Sequence, residues 1–318
     1  YKRQGLALAV IVDVAIAVQA RSLASLCVLL AIAGVGNAIT QPAANLLLAD
    51  HLPTDRLGFA IGLKQSGMPF ATLLGGLAVP ILAQTLGWES AYVAAAVVAI
   101  VAMALVSGDR TSSSSPGPRE VPDTPGRVLA LLAFGMFFGA GAASALGSFL
   151  VSSAEASGLS SGQAGLLLAA GSACGITARV TLGAHADRHP GPHLLTVAKL
   201  LTLGAGAFAL LAIHAPLSSV MGTVLAFTTG WAWPGLFNLA VVRANPRAAG
   251  SATGITQTGV YLGAFTGPLV FGVVVEKAGY STAWLVITGA ALAAAAVFVV
   301  GDRRLERRPQ EAWVPGAP

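Results

Sequence analysis

Ten stretches of nearly uninterrupted apolar residues leave this chain few ways to fold. They run over roughly 4–20, 23–49, 57–84, 89–107, 128–152, 163–184, 194–213, 218–242, 249–275 and 281–300. A helix needs about 20 residues to cross a hydrocarbon core of about 30 Å, and most runs are near that length. Their apolar residues are continuous rather than alternating and the runs are too long for barrel strands. Only 10% of the 318 residues are charged, against about 25% in a soluble domain, too few to cover a water-facing surface. The chain therefore reads as an all-α membrane protein with ten spanning helices. Its net charge of +5 comes from basic residues between the runs, not from a patch interleaved with aromatics, so nucleic acid is not the expected partner. Cys27 and Cys174 sit inside apolar runs with no Cys or His at ligand spacing, and read as packing residues.

The basic residues also set an orientation. Of the 18 Lys and Arg, thirteen fall in one set of alternate connections, two (Arg21 and Lys277) in the other, and Lys64, Arg179 and Lys199 inside runs. The positive-inside rule places the richer set, and with it both ends of this chain, in the cytoplasm. The expected location is the plasma membrane, a bacterial inner membrane in particular. Lys2 and Arg3 before the first run, with Val18-Gln19-Ala20 at its end, also fit a signal peptide, but an internal repeat gives that run another place.

The stretch 108–127, rich in Ser and Pro with charges of both signs, reads as a flexible cytoplasmic linker. It separates an N-terminal half, 1–107, from a C-terminal half, 128–301, followed by a cytoplasmic tail, 302–318. The halves repeat. At an offset of 192, Gly58/Gly250, Gly62/Gly254, Gln65/Gln257, Gly67/Gly259, Gly75/Gly267 and Gly87/Gly279 are identical without a gap, and Pro42 meets Pro234. The offset pairs runs one to four with runs seven to ten. Runs five and six lack partners ahead of Tyr1, so the expected whole is twelve helices, six plus six, with two preceding this chain.

Arg179 stands in a four-residue ladder with Gly171, Gly175, Gly183 and Asp187, close together on one side of a helix. A lipid-facing arginine deep in the bilayer costs at least about 2.5–3.5 kcal/mol, so it must meet protein, water or a ligand. It either binds an anion, or snorkels or pairs structurally, since Asp187 lies only about 12 Å along the helix. Lys64, at comparable depth beside Gln65 and Ser66, is a second intramembrane cation. Asn37, Gln41 and Asn45, spaced by four, either line a substrate path or hydrogen-bond between helices. Trp231, Gln257 and Tyr261 are weaker lining candidates. Asp13 is the acidic residue deepest in a run, and reads as either a proton-coupling site or a structural polar contact. Lys199 reads as snorkelling. His185, His189 and His193 share a spacing of four, but Pro190 and Pro192 break any helix that would align them on a metal. No nucleophile–base pair, phosphate loop or metal cluster appears, so neither an enzyme nor a cofactor is expected.

With these runs, the repeat and the loop "GAHADRHPGPH", the chain resembles the major facilitator superfamily of secondary transporters, whose two six-helix halves are related by an axis along the membrane normal. The loop is similar to the family's Gly-xxx-Asp-basic motif through Gly183, Asp187, Arg188 and Gly191, although its second glycine is shifted by one residue and Pro192-His193 replaces a basic pair. The resemblance implies that the runs are family helices three to twelve. It also implies that Asp187 caps a neighbouring helix, with Gly183, Asp187 and Arg188 forming a cytoplasmic gating motif, and that family helices five and eight bring Lys64 and Arg179 together. Gly175, Arg179, Gly183 and Asp187 are similar to a helix-eight pattern of monocarboxylate and other organic-anion members. The drug-antiporter pattern on helix five is broken here, and its half-match, Gly263-xxx-Gly267-Pro268, lies on helix eleven. The expected function is alternating-access transport of a small organic anion, a carboxylate in particular, with proton coupling, by a monomer. Proton-coupled efflux of drugs or lipophilic metabolites is the alternative.

Overall fold

The computed structural model describes residues 2–35, 48, 52–53, 55–105, 121–189, 191 and 193–306. Asn37, Gln41 and Asn45 lie outside the described residues, as do most of the 108–127 linker and the tail beyond 306. Every regular element among the described residues is helical. In chain order they are α1 (Lys2–Gln19), α2 (Leu23–Val35), α3 (Leu57–Leu86), α4 (Glu89–Leu105), α5 (Gly126–Ala156), α6 (Ser161–Arg188), α7 (Leu194–Ala212), α8 (Pro216–Ala244) and α9 (Ala249–Glu306). Six of them, α3 and α5 to α9, are long and apolar enough to cross a membrane. The 58 residues of α9 would reach about 85 Å as one straight helix. They hold the last two apolar runs of the sequence, divided at Gly279, whose φ of 80° breaks the helix.

Breaks fall where the sequence puts residues that cannot continue a helix. Ser160 starts α6 with a reciprocal cap, its hydroxyl accepting from the Gln163 N–H while the Gln163 side chain accepts from the Ser160 N–H. Pro216 opens α8, and proline is tolerated at a first turn because the N–H it lacks would be unpaired there. Two wide π turns, Val79–Ala83 in α3 and Ala226–Gly230 in α8, interrupt otherwise regular spans.

Helix α3 packs along α6, α1 on α4, and α9 on α5 and α7. Small residues set the closest approaches. Gly259, Gly263 and Gly267 of α9 press on the backbone of Ala133, Phe137 and Gly141 in α5. In α3, Gly58, Gly62 and Gly76 face Gly183, the Arg179 carbonyl and Gly165 of α6. The glycines of the antiporter half-match, Gly263 and Gly267, thus serve a helix seam.

Two apolar clusters fill the interior. One joins Leu57 and Ile61 of α3 to Leu132 and Met136 of α5, Trp233 and Phe237 of α8 and Phe298 of α9. The other gathers Leu146, Phe208, Phe227, Trp231, Phe271 and Trp284. The outside stays apolar: Leu23, Leu105 and Leu217 are each more than two-thirds exposed. That surface would be an aggregation hazard in water and is the ordinary one against lipid tails. Cys27 lies on this exposed side of α2 rather than in packing.

Candidate functional site around Arg179

The break in α8 lies between the two apolar clusters and creates the site. Pro234 has no N–H to give the Gly230 carbonyl, which accepts instead from Trp233 Nε1 at 2.9 Å. Trp231, at the exit of the π turn, has φ −122° and ψ −1°, outside the helical pattern. Its carbonyl points to α6, where Arg179 donates to it through Nε at 3.1 Å and through Nη2. The guanidinium carbon also lies 5.6 Å from the centre of the Trp231 ring, a cation–π distance.

The third partner of Arg179 comes from α3. Pro69 stands four residues after Gln65, so the Gln65 carbonyl has no N–H to accept within its own helix, and the proline ring displaces it. Arg179 Nη1 donates to that carbonyl. One side chain therefore satisfies two carbonyls, that of Gln65, which Pro69 leaves without a donor, and that of Trp231 at the break in α8, one in each half of the chain. Arg179 is 2% exposed. Among the described residues no carboxylate pairs with it, and its charge is met by carbonyl dipoles and an aromatic face.

The ladder expected around Arg179 divides between two neighbours. Gly171 and Gly175 admit Phe227 of α8, and Gly183 and Asp187 meet α3. The Asp187 carboxylate accepts from the N–H groups of Gly58 and Phe59, both at 2.7 Å, at the start of α3. A carboxylate there satisfies two unpaired donors and faces the positive end of the helix dipole. Asp187 also pairs with Arg243 of α8 at 3.2 Å, and Arg243 Nη1 lies 3.0 Å from His193 Nε2. Arg188, the other charged residue of the loop motif, ends α6. Midway along the α3–α6 seam, the Thr72 and Ser172 hydroxyls are 2.8 Å apart.

Other candidates lie less centrally. Lys64 is half-buried beside Gln65 on α3. Gln65 and Gln257, partners in the repeat, are both buried. The Tyr261 hydroxyl is buried with no hydrogen-bond partner among the described residues. Asp13 is half-buried on α1, and no described contact joins it to Arg179. His185 and His189 stack at 4.1 Å, because α6 reaches Arg188 before the chain turns towards Pro190; His193 is held apart from them on Arg243.

Three participants escaped sequence reasoning. Arg243 is one of the basic residues between the apolar runs, and its bridge between Asp187 and His193 is a contact between distant segments. Asn238, hidden in an apolar run, is fully buried, with neither amide atom partnered among the described residues. Two pockets open around the turn that carries His193, one lined by His185, His189 and Leu236 and the other by Arg243, Ala240 and Asp302. Arg179 lines neither.

A sequence model of the Major Facilitator Superfamily matches residues 4–132 and 129–317. No curated protein matches the chain. Among solved structures, the human organic anion transporter MFSD10 (TETRAN) is similar with a TM-score of 0.69 at 20% identity, over 93% of this chain and 76% of that one. The E. coli fucose:proton symporter FucP is similar with a TM-score of 0.65 at 17% identity, over 96% and 83%. A FucP structure in the outward conformation gives 0.63 at 17% identity, over the same shares. At such identities the likeness is one of fold. The family match, covering nearly the whole chain, carries the assignment: this multi-pass membrane protein belongs to the Major Facilitator Superfamily and is a secondary transporter.

Proposed function

We propose that the protein moves a small organic anion across the plasma membrane by alternating access, with Arg179 as the anion-binding group and Lys64 adding positive charge nearby. One observation carries this: Arg179 is buried at 2% exposure with neutral partners only among the described residues. A permanent cation in that setting attracts an anion strongly, because water and salt do not screen it. The resemblance of the Gly175–Asp187 pattern to organic-anion members supports the choice, and the fold likeness to an organic anion transporter agrees with it. The described helices take the places of family helices three to twelve, with the Asp187 end in the cytoplasm. There Asp187, with Gly183 and Arg188, latches the gate by capping α3. Gln257, Tyr261 and Trp231 border the path, joined by Asn238, and Asn37, Gln41 and Asn45 line its other wall. Asp13 is the proton-coupling group, and the protein works as a monomer.

The test is uptake into proteoliposomes. A panel of mono- and dicarboxylates, neutral sugars and lipophilic cations is supplied with and without a proton gradient. Carboxylate uptake that excludes the cations supports the proposal. Selective transport of lipophilic cations would overturn it in favour of efflux.

A further inference from the structure

We propose that Arg179 is the switch by which substrate binding opens the seam between the halves, because the guanidinium that takes the anion is the same one that ties α6 to the Gln65 carbonyl of α3. The proposal rests on the anion reading above for its ligand, whereas the tie itself rests on geometry.

The donors of Arg179 divide unequally. Nε and Nη2 go to the Trp231 carbonyl, within the C-terminal half, and Nη1 alone crosses to Gln65. A carboxylate takes a guanidinium most strongly through two parallel N–H groups. Docking on the Nη1–Nη2 edge displaces the Gln65 carbonyl and leaves Nε on Trp231. Arg179 then stays anchored to α8 and lets go of α3.

The displaced carbonyl cannot repair itself within α3, because Pro69 supplies no N–H. A buried carbonyl without a donor is costly, so α3 must move until water reaches Gln65. An occupied Arg179 and a closed seam therefore compete for one set of donors. By linkage, whatever weakens the tie strengthens anion binding. The rest of the seam is suited to parting: it is made of glycine contacts, the hydroxyl pair Thr72–Ser172 and the Asp187 cap.

Pro69→Ala separates the tie from the charge, since it gives the Gln65 carbonyl an intrahelical donor and leaves Arg179 untouched. A reporter cysteine at Ile61, which is fully buried beside the seam, is placed in full-length protein lacking Cys27 and Cys174 and reconstituted in liposomes. Reaction with a permeant maleimide reads opening, benzoate is the carboxylate probe, and benzamide is the uncharged control. We expect slow labelling in the parent, accelerated by benzoate and not by benzamide. Pro69→Ala should label about tenfold faster without ligand, the factor that about 1.4 kcal/mol represents, with little further response to benzoate. Arg179→Gln should label fast and ignore benzoate. Equal labelling of Pro69→Ala and the parent would overturn the switch, whatever becomes of anion transport. Faster labelling of Pro69→Ala with a parent indifferent to benzoate would leave the tie standing and overturn the proposal through its anion premise.

Discussion

Asn238 on α8 and Asn245 at its end are both fully buried, but only one is satisfied. The Asn245 amide donates to the Val241 carbonyl at 2.9 Å, and its oxygen accepts from the Thr124 N–H at 2.7 Å, pinning the end of the linker. Among the described residues Asn238 has neither partner, and a buried unpaired polar group costs about 1–3 kcal/mol. In thermal melts of detergent-solubilised protein, Asn245→Ala should lower Tm, while Asn238→Ala should leave it unchanged or raise it. Equal losses would mean that Asn238 has a partner in the folded state. His193 supplies a pH dependence. It is outside the spans, and burial, followed by the Arg243 charge, holds its imidazole below the ordinary value of 6.5. Asp187, which pulls the other way, and His185 also act on it. The contact with Arg243 Nη1 needs Nε2 unprotonated. A histidine whose value is lowered in the latched state stabilises that state fully above its ordinary pKa, and the contribution fades as pH falls below 6.5. Acidifying the Asp187 side should therefore speed cysteine labelling at Ile61, and His193→Gln should flatten that response. A wild-type pH profile in His193→Gln would remove the histidine from the latch.

Among elements, the α3–α6 seam shows what the sequence made legible and what it hid. The ladder from Gly171 to Asp187 pointed to close backbone approach on one side of α6, and α3 and α8 do approach there. The partners of Arg179 were hidden because they are main-chain carbonyls, which have no residue signature of their own. A signal existed for one of them: a proline four residues after Gln65 frees the Gln65 carbonyl inside a span, whereas Pro234 frees that of Gly230, which Trp233 takes. Asn37, Gln41 and Asn45 lie outside the described residues, and their place on the proposed path rests on their spacing. The seam itself is testable. A methyl group on Gly183 would overlap the Gly58 carbonyl, whereas one on Gly206 of α7 meets nothing within 4 Å. Overpacking of this kind costs about 1–3 kcal/mol, so Gly183→Ala should lower Tm and slow transport while Gly206→Ala does neither. Similar behaviour of both variants would show that α3 and α6 are not packed this tightly.

At the scale of the whole molecule, long apolar runs and scarce charge were enough to read a helical membrane protein, because lipid leaves the backbone few alternatives. The basic asymmetry further predicts sides: cysteines placed singly at Ser114 and Ser157, in a background lacking Cys27 and Cys174, should label from opposite faces of the membrane. Labelling of both from outside would overturn the orientation. What apolar runs cannot encode is the solute, which depends on a few polar groups held between the halves. Arg179 is the charged group buried there. Its planar fork makes paired hydrogen bonds that a lysine ammonium cannot reproduce. The most direct measurement is uptake of a labelled carboxylate panel into proteoliposomes by wild type, Arg179→Lys and Arg179→Gln, normalised to folded protein in the membrane. Arg179→Lys should be strongly impaired despite the conserved charge, and Arg179→Gln should lose uptake. Wild-type uptake by Arg179→Gln would contradict this, leaving Arg179 as a structural clasp on two exposed carbonyls.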